Sequence, residues 1–398
     1  MGPAETSTVR PKQSLLFNPT LRSVVYQTTL CLVIALLAWA AISNAIDNLA
    51  RARIATGFGF WYHTAGFDIS QTLIEYTSHG STYGRAFWVG LINTLLVAVL
   101  GIIGATILGF IVGIARLSKN WLVAKVASGY VEVIRNLPLL LQLLFWYNAV
   151  LKALPETRNS LVIANSVYLN NRGLVVPRTV WQDGIGLPLL VFLSSIVAAF
   201  VYRYWARRRQ MQTGKPAPVL WVALALIVLP VAVTLLFTGL PVTFEFPERG
   251  RFNVTGGTEV LPEFAALLFG LIVYTAAFIA EVVRAGIQSV PTGQTEAALA
   301  LGFRSNLGLR LIVLPQAMRV IIPPLTSQYL NLVKNSSLAV AVGYPDLVQV
   351  FTGTVLNQTG QAVEVVAITM AVYLSISLFT SLAMNIYNRA ITPVGDRS

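Results

Sequence analysis

Runs of uncharged, apolar residues alternate with short polar segments along the whole chain. A helix needs about 20 apolar residues to cross the hydrocarbon core of a bilayer. The runs predict spans within residues 24–46, 86–115, 132–154, 185–202, 216–244, 263–288, 320–343 and 365–388. We therefore expect an all-α fold, a polytopic transmembrane helix bundle of about 8 spans.

The first run has a competing interpretation as a cleaved signal peptide. The apolar core of a signal peptide is about 7–15 residues long. The run at 24–46 is longer than that, and an unusually long polar leader precedes it. We therefore expect an uncleaved first span.

Composition and charge place the chain in a membrane. Hydrophobic residues make up 55% of the chain and charged residues only 11%, whereas soluble domains carry about 25% charged residues. The net charge of +12 would suit a nucleic-acid partner, but the basic residues lie at the ends of apolar runs, most densely at 203–209. Basic residues at span ends are typical of cytoplasmic loops, and most acidic residues fall in the opposite loops. Both biases predict cytoplasmic termini, and we expect no nucleic-acid partner.

Residues that could carry catalysis or hold a cofactor are scarce. The chain has one cysteine and two histidines, so we expect neither an internal disulfide nor a structural metal site. Gly214 and Lys215 are followed by Pro216 and lack the glycine-rich loop that binds nucleotide phosphates. An integral membrane enzyme would need clustered nucleophiles, acids or metal ligands at one membrane face. We therefore expect no catalytic, cofactor-binding or metal-binding residues and no enzyme activity.

The polar segment 290–315 lies between two predicted spans and carries the signals of a short surface helix. Pro291 would end the preceding span, and Thr292 could cap the next helix. Glu296 would lie in its first turn, where a carboxylate suits the helix dipole. Gly302 lies where a glycine commonly ends a helix. An ordinary loop between spans is the alternative, and these residues alone leave both interpretations open.

Three stretches of the chain resemble motifs of one protein family. Glu296-Ala297-Ala298, followed by Gly302 and by Ile-Val-Leu-Pro at 312–315, resembles the EAA loop of ATP-binding-cassette (ABC) importer permeases. Residues 280–291 and 135–142 resemble the polar amino-acid uptake branch of that family. The resemblance implies a coupling helix that docks on an ATPase subunit. Its coupling residues would be Glu296, Ala297, Ala298, Gly302 and Pro315.

The resemblance also implies an assembly. The chain would be a type I ABC importer permease that takes up L-amino acids across the bacterial inner (plasma) membrane. Separate ATPase subunits would hydrolyse the ATP, and the other partners would be a second, related permease subunit and a periplasmic solute-binding protein. An ion-gradient-driven secondary amino-acid transporter is the alternative. It would need an acidic or broken-helix ion site at membrane depth, and none is evident in the sequence.

The chain is larger than the five-span permeases of that family. Residues 86–154 and 263–398 resemble the two parts of the permease core. Residues 1–85 would add a tail, a span and an outer loop, and residues 155–262 would insert two spans with outer loops. This enlarged form resembles the Q-type permease subunit of general L-amino-acid importers.

Polar residues at membrane depth are candidates for the gate or the substrate path. Lys334 lies within an apolar run and could face the path or extend to the interface. Glu281 and Arg284 are one turn apart and favour a local ion pair, although they could also line an inner gate. Gln142 and Asn148 could bind substrate, and packing between helices is the alternative for both.

Overall fold

Helices dominate the structure, a computed structural model that describes residues 19–51, 56–164, 166–182, 184–214, 217–238, 242–250 and 253–391. In chain order the α-helices are α1 (Pro19–Arg51), α2 (Tyr83–Ala115), α3 (Trp121–Asn136), α4 (Leu139–Leu144), α5 (Gly186–Thr213), α6 (Val219–Thr238), α7 (Pro262–Gln288), α8 (Thr292–Ala300), α9 (Ser305–Gly308), α10 (Leu314–Asn335), α11 (Leu356–Thr359) and α12 (Ala362–Ile391). Turns of π-helix occur at Phe145–Leu151, Leu309–Val313 and Val348–Val355, and turns of 3-10 helix at Gly59–Tyr62, Thr157–Asn159 and Ser336–Ala341.

Seven helices in the described ranges are long and apolar enough to cross a membrane. They are α1, α2, α5, α6, α7, the helical stretch Leu309–Ala341 around α10, and α12. These helices confirm all the predicted spans except the third. The stretch around α10 begins at Leu309, before the predicted start at 320, because the π-helical turn Leu309–Val313 continues directly into α10.

The structure contradicts the third predicted span. Residues 132–154 do not form one helix, because α3 ends at Asn136 and the backbone at Leu137 and Pro138 is extended. A proline disfavours the helical conformation for the residue before it. The apolar helical part is Leu139–Leu151, about 20 Å long at 1.5 Å per residue. It is therefore shorter than the hydrocarbon core of roughly 30 Å.

The parallel helices α2 and α7 form the centre of the bundle, and α3 and α10 pack against α7. Glycines on α2 let the two central helices approach closely. A Cβ atom at Gly109 would lie 2.5 Å from Ile279 Cγ2, and one at Gly113 would lie 2.8 Å from Val283 Cβ. Ile279 and Val283 are fully buried, so neither side chain can move aside into solvent. Glycine at these positions therefore sets the helix spacing, as small residues do in membrane helix pairs.

Aromatic packing covers the end of the bundle that carries the N-terminus of α2. The ring of Phe351 lies 6.2 Å from that of Phe60 and 5.3 Å from that of Phe87. The predicted spans at 320–343 and 365–388 imply an outer loop at 346–364 between them. The structure instead has a π-helical turn and α11 there, with buried apolar side chains. The prediction of a loop is wrong because apolar residues at helical spacing pack this short segment onto the bundle.

Short strands occupy the segments that flank α5 and α6. They are β1 (Leu161–Ile163), β2 (Val167–Asn170), β3 (Gly173–Val176), β4 (Arg178–Trp181), β5 (Val242–Glu245), β6 (Glu248–Arg249), β7 (Val254–Thr255) and β8 (Thr258–Val260). All pairings are antiparallel, in a four-stranded sheet β1-β2-β3-β8 and the pairs β4-β5 and β6-β7. The sequence predicted only outer loops here. The strands were missed because each has too few residues for alternation to stand out.

Helices α5 and α6 pack on each other as a hairpin. The hairpin begins and ends at paired strands, since β4 precedes α5, β5 follows α6, and residues 178–181 pair with residues 242–245. Strands β3 and β8 pair outside that stem. Helices α5 and α6 therefore connect to the rest of the chain through neighbouring strands.

Candidate functional site

The predicted surface helix is present as α8, a helix of 9 residues. Pro291 occupies its N-cap position with extended backbone and makes no side-chain hydrogen bond to the first turn. The prediction that Thr292 caps the helix is therefore wrong, since Thr292 is its first residue. Glu296 accordingly lies in the second turn and not in the first. The physical reason is that Pro291 already supplies the extended backbone that precedes a first turn.

Gly302 ends α8 as predicted. It has a φ of +79°, a left-handed conformation that glycine adopts with little strain. The N–H of Phe303 donates to the Ala298 carbonyl at 3.0 Å, and the N–H of Gly302 donates to the Leu299 carbonyl at 2.9 Å. These two bonds form a Schellman motif. They fix the end of α8 and the direction in which the chain continues to α9.

The coupling candidates divide into exposed residues and one packed residue. Glu296, Ala297 and Gly302 are exposed, whereas Ala298 is only 2% exposed. A Cβ atom added at Gly308 of α9 would lie 3.3 Å from Ala298 Cβ, so these small residues let α8 and α9 pack closely. The exposed three could contact another protein, while Ala298 holds α8 in place.

Contacts to the following helix also position α8. The Nε2 of Gln316, in the first turns of α10, donates to Gln294 Oε1 of α8 at 3.5 Å. Pro315, the last coupling candidate, is exposed in the first turn of α10. The sequence region assigned to coupling is therefore one connected surface made of α8, α9 and the start of α10.

A carboxylate-centred cluster lies toward the end of α7 that leads into α8. Glu281 accepts a hydrogen bond from Arg284 Nη2 at 2.6 Å, which confirms the predicted local pair. Glu281 also pairs with Arg116 at the C-terminus of α2, and Arg135 Nη1 of α3 lies 3.6 Å from the same carboxylate. We call these four residues the Glu281 cluster. The side chains of Arg116 and Glu281 are 10% and 27% exposed, so their pairing is better shielded than a surface ion pair.

The Glu281 cluster joins α2, α3 and α7. Arg284 also donates to Gln288 Oε1 at 2.8 Å, at the last residue of α7, and Arg135 lies over the Phe278 ring at 5.2 Å. The pair of Glu281 with Arg116 therefore resists a displacement of α7 relative to α2. Sequence reasoning counted Arg116 and Arg135 among the cytoplasmic basic residues and placed Arg135 at the start of the 135–142 motif, but it paired neither with Glu281. It missed their pairing because both residues are far from Glu281 along the chain.

Gln142 lies apart from the Glu281 cluster and is buried. Its Nε2 donates to the carbonyls of Ile134 and Leu137, each at 3.0 Å. Both carbonyls lie at the break between α3 and α4, where the last turn of a helix leaves carbonyls without helical partners. The contacts support the packing interpretation of Gln142.

Asn148 and Lys334 are exposed and lie on separate elements. Asn148 Oδ1 accepts from Lys152 Nζ, and Asn148 Nδ2 donates to the Leu144 carbonyl, each at 3.1 Å. Lys334 lies in the last turn of α10. The helical stretch ends at Ala341, about 10 Å further along at 1.5 Å per residue. A lysine at that depth can extend its ammonium group to the interface.

Sequence reasoning missed a set of buried polar side chains near the N-terminus of α2. Asn93 Nδ2 donates to the Pro345 carbonyl at 2.9 Å, and Thr94 Oγ1 accepts from the Leu347 N–H at 3.0 Å. Both side chains are fully buried. They tie α2 to the connection between α10 and α12. Two adjacent polar residues within a long apolar run were the available signal.

Asp346 lies in the same connection, outside the spanning helices. Its carboxylate is fully buried and accepts from the Gln349 N–H at 2.8 Å and the Tyr373 hydroxyl at 3.2 Å. Burial raises the pKa of Asp346 to about 7, because these hydrogen bonds offset only part of the lost hydration. The sequence placed Asp346 in the outer loop at 346–364 and gave no sign that its carboxylate is buried.

Comparison with known proteins agrees with this architecture. Residues 105–393 match the family described as binding-protein-dependent transport system inner membrane component. The chain is 52% identical over 377 residues to the general L-amino acid transport system permease protein of Rhizobium johnstonii, and the match covers 94% of each chain.

Two further relatives match over nearly their whole length. A putative amino-acid ABC transporter permease protein of Escherichia coli is 49% identical over 387 residues, which cover 96% of this chain and 98% of the relative. The glutamate/glutamine/aspartate/asparagine transport system permease protein of Rhodobacter capsulatus is 42% identical over 409 residues, with 95% of each chain covered. The chain therefore belongs to the family of inner membrane components of binding-protein-dependent transport systems.

Proposed function

We propose that this chain is the permease subunit of an ABC importer for L-amino acids and that separate subunits hydrolyse the ATP. The three relatives are, by their names, permeases of amino-acid transport systems, and each aligns with nearly all of this chain. Because the alignments cover nearly the whole chain, they support the same class of substrate for this chain. The names of the relatives mention different amino acids. We therefore propose only the substrate class, L-amino acids, for this chain.

The observation that supports coupling to a motor subunit is the exposure of α8. The helix is short, it begins and ends at defined residues, and it presents Glu296, Ala297 and Gly302 to solvent. In the proposed assembly an ATPase subunit contacts this face, and a second, related permease chain completes the path. A solute-binding protein delivers the amino acid at the opposite end of the bundle. The α8 end and both termini then lie in the cytoplasm, consistent with the basic residues near that end.

The proposed mechanism transmits motion from α8 to the bundle. Only residues 289–291 separate α7 from α8, so a displacement of α8 acts directly on α7. The Glu281 cluster lies on that route and links α7 to α2 and α3. ATP binding by the partner would move α8, exchange the pairs of Glu281 and change which side of the membrane the path faces.

Reversing the charge of Glu296 tests this function. We expect Glu296→Lys to insert in the membrane in normal amount but to lower ATP-dependent uptake at least tenfold, because the new charge prevents docking of the ATPase. The readout is uptake of a mixture of radiolabelled L-amino acids, measured beside ATP hydrolysis in the complete reconstituted complex. Glu132→Lys is the matched control, since Glu132 is an exposed carboxylate on α3; its uptake should stay near that of the wild type.

Two outcomes would contradict the proposal. Normal uptake by the Glu296→Lys variant would remove α8 from the coupling route. Uptake that continues without ATP and follows an imposed ion gradient would instead support the secondary transporter.

A further inference from the structure

An unassigned groove lies between α5 and α6, the two inserted spans. Its volume is about 510 Å³. Ile196, Ala199 and Phe200 of α5 form one wall, and Ala223 and Ile227 of α6 form the other. All five are apolar, so this part of the groove suits hydrocarbon.

One end of the same groove is basic. Arg203, Arg207 and Gln210 line it on α5, where the chain approaches the turn into α6. Arg203 and Arg207 are four residues apart, so their side chains lie on the same face of the helix. Two neighbouring guanidinium groups and an amide can together donate several hydrogen bonds to a phosphate group.

The other two arginines of the basic run face elsewhere. The guanidinium of Arg208 lies over the Tyr204 ring at 4.6 Å, and that of Arg209 lies over the Trp205 ring at 5.3 Å. Neither lines the groove. The basic run therefore divides into a pair directed to the groove and a pair that stacks on aromatic rings.

The pair in the groove lacks an acidic partner on its own hairpin. The sequences of α5 and α6 contain no Asp or Glu. Two like charges held one turn apart repel each other, and an anion between them would relieve that repulsion. The anion must also suit a groove whose walls are apolar and include the exposed side chain of Phe200.

We propose that this groove binds an acidic phospholipid, with the phosphate held by Arg203 and Arg207 and the acyl chains lying against Ile196, Phe200 and Ile227. Apolar walls that end in paired guanidinium groups match a lipid with a charged headgroup. The inference needs only the membrane location of the chain and not the proposed transport activity. The lipid would hold the inserted hairpin at a fixed depth, because its headgroup stays at the interface.

Lipid retention in the purified complex tests the site. The complete complex would be washed in detergent, loaded with vesicles of phosphatidylglycerol or phosphatidylcholine, and assayed for bound lipid by native mass spectrometry. We expect the wild type to retain phosphatidylglycerol and to release phosphatidylcholine. The double variant Arg203→Gln with Arg207→Gln should retain at least fivefold less phosphatidylglycerol.

Two further variants separate the site from general charge and from folding. Arg208→Gln with Arg209→Gln removes the same charge from the same run and should keep wild-type retention. Ala223→Trp fills the groove, leaves both arginines in place, and should also reduce retention. Equal loss in the two arginine double variants would overturn the proposal, as would equal retention of the two lipids. A crosslink from Ala223→Cys to a second permease chain would overturn it too, since a protein would then cover the groove.

Discussion

Glu281 supplies one negative charge to three guanidinium groups, and this ratio decides which substitutions matter most. If one arginine is removed, the carboxylate keeps two partners. If the carboxylate is removed, Arg116, Arg135 and Arg284 are left facing each other. Removing the shared carboxylate of an ion-pair cluster that is partly buried lowers stability more than removing a charge at the surface, because the remaining charges lose their partner.

We predict that Glu281→Gln lowers the free energy of unfolding by about 1.5–3 kcal/mol, the range for a lost hydrogen bond to a charged group. Thermal unfolding of the purified chain in detergent would measure this change. Glu132→Gln, an exposed carboxylate on the neighbouring helix, provides the control and should change stability little. If the two variants unfold alike, the cluster contributes nothing to stability.

Asp346 gives a prediction about pH. Its folded pKa of about 7 lies above the ordinary value of 3.8, so the folded state holds the proton more tightly than the unfolded state. The contribution of Asp346 to the free energy of unfolding is therefore fully present below about pH 4. It falls as the pH rises and is lost as the pH passes through about 7. Asp346→Asn cannot titrate, and its amide oxygen can still accept from Gln349.

The difference in stability between the wild type and the Asp346→Asn variant should therefore depend on pH. We expect the unfolding temperature of the wild type to fall between pH 4.5 and 7.5 relative to that of Asp346→Asn (roughly the window between the two pKa values). A difference that stays constant over this range would show that Asp346 does not change protonation there.

At the scale of elements, the close packing of α2 against α7 makes a matched pair of substitutions informative. Gly109 and Gly129 are both helical glycines. A Cβ atom at Gly109 would lie 2.5 Å from Ile279, whereas one at Gly129 would meet nothing within 4 Å. Alanine has a higher helix propensity than glycine by about 1 kcal/mol, so any loss at Gly109 must come from packing.

We predict that Gly109→Ala destabilises the chain by about 1–3 kcal/mol, the usual range for overpacking. Gly129→Ala should be neutral or stabilising by up to about 1 kcal/mol. Thermal unfolding in the same detergent compares the two. Equal stability would mean that α2 and α7 can separate without loss, contrary to the packing described above.

Local signals predicted some elements well and distant contacts poorly. Pro291 and Gly302 placed the start and end of α8 to within one residue, because a proline and a left-handed glycine act through their own backbones. Pro138 was equally visible, yet the prediction carried a span through it. The pairing of Arg116 with Glu281 joins residues 165 positions apart, and no local pattern indicates which distant charges meet. The strands of the insert have the same difficulty, since β3 pairs with β8 across two spans.

At the scale of the whole molecule, the orientation in the membrane follows from the distribution of charge and can be measured directly. The chain has a single cysteine, Cys31 in α1, and Cys31→Ser gives a background without thiols. Thr295 on α8 and His79 near the N-terminus of α2 are both exposed. They lie toward opposite ends of the bundle and suit labelling.

We predict that Thr295→Cys reacts with a membrane-impermeant maleimide only in inverted vesicles, and that His79→Cys reacts only in intact cells. The expectation rests on the excess of basic residues at the α8 end. Labelling of Thr295→Cys from outside intact cells would reverse the orientation and remove α8 from any cytoplasmic partner.

The stem formed by β4 and β5 has a consequence for how the chain could have grown. Paired strands lie about 4.8 Å apart, so the inserted hairpin departs and returns at almost the same place. A segment attached in this way can be lengthened, shortened or omitted while the path of the remaining chain stays unchanged. A shorter homologue could join the two strands by a tight turn and keep every other helix in position. The hairpin of α5 and α6 is therefore attached at one place, and a change in its length need not disturb the packing of α2 against α7.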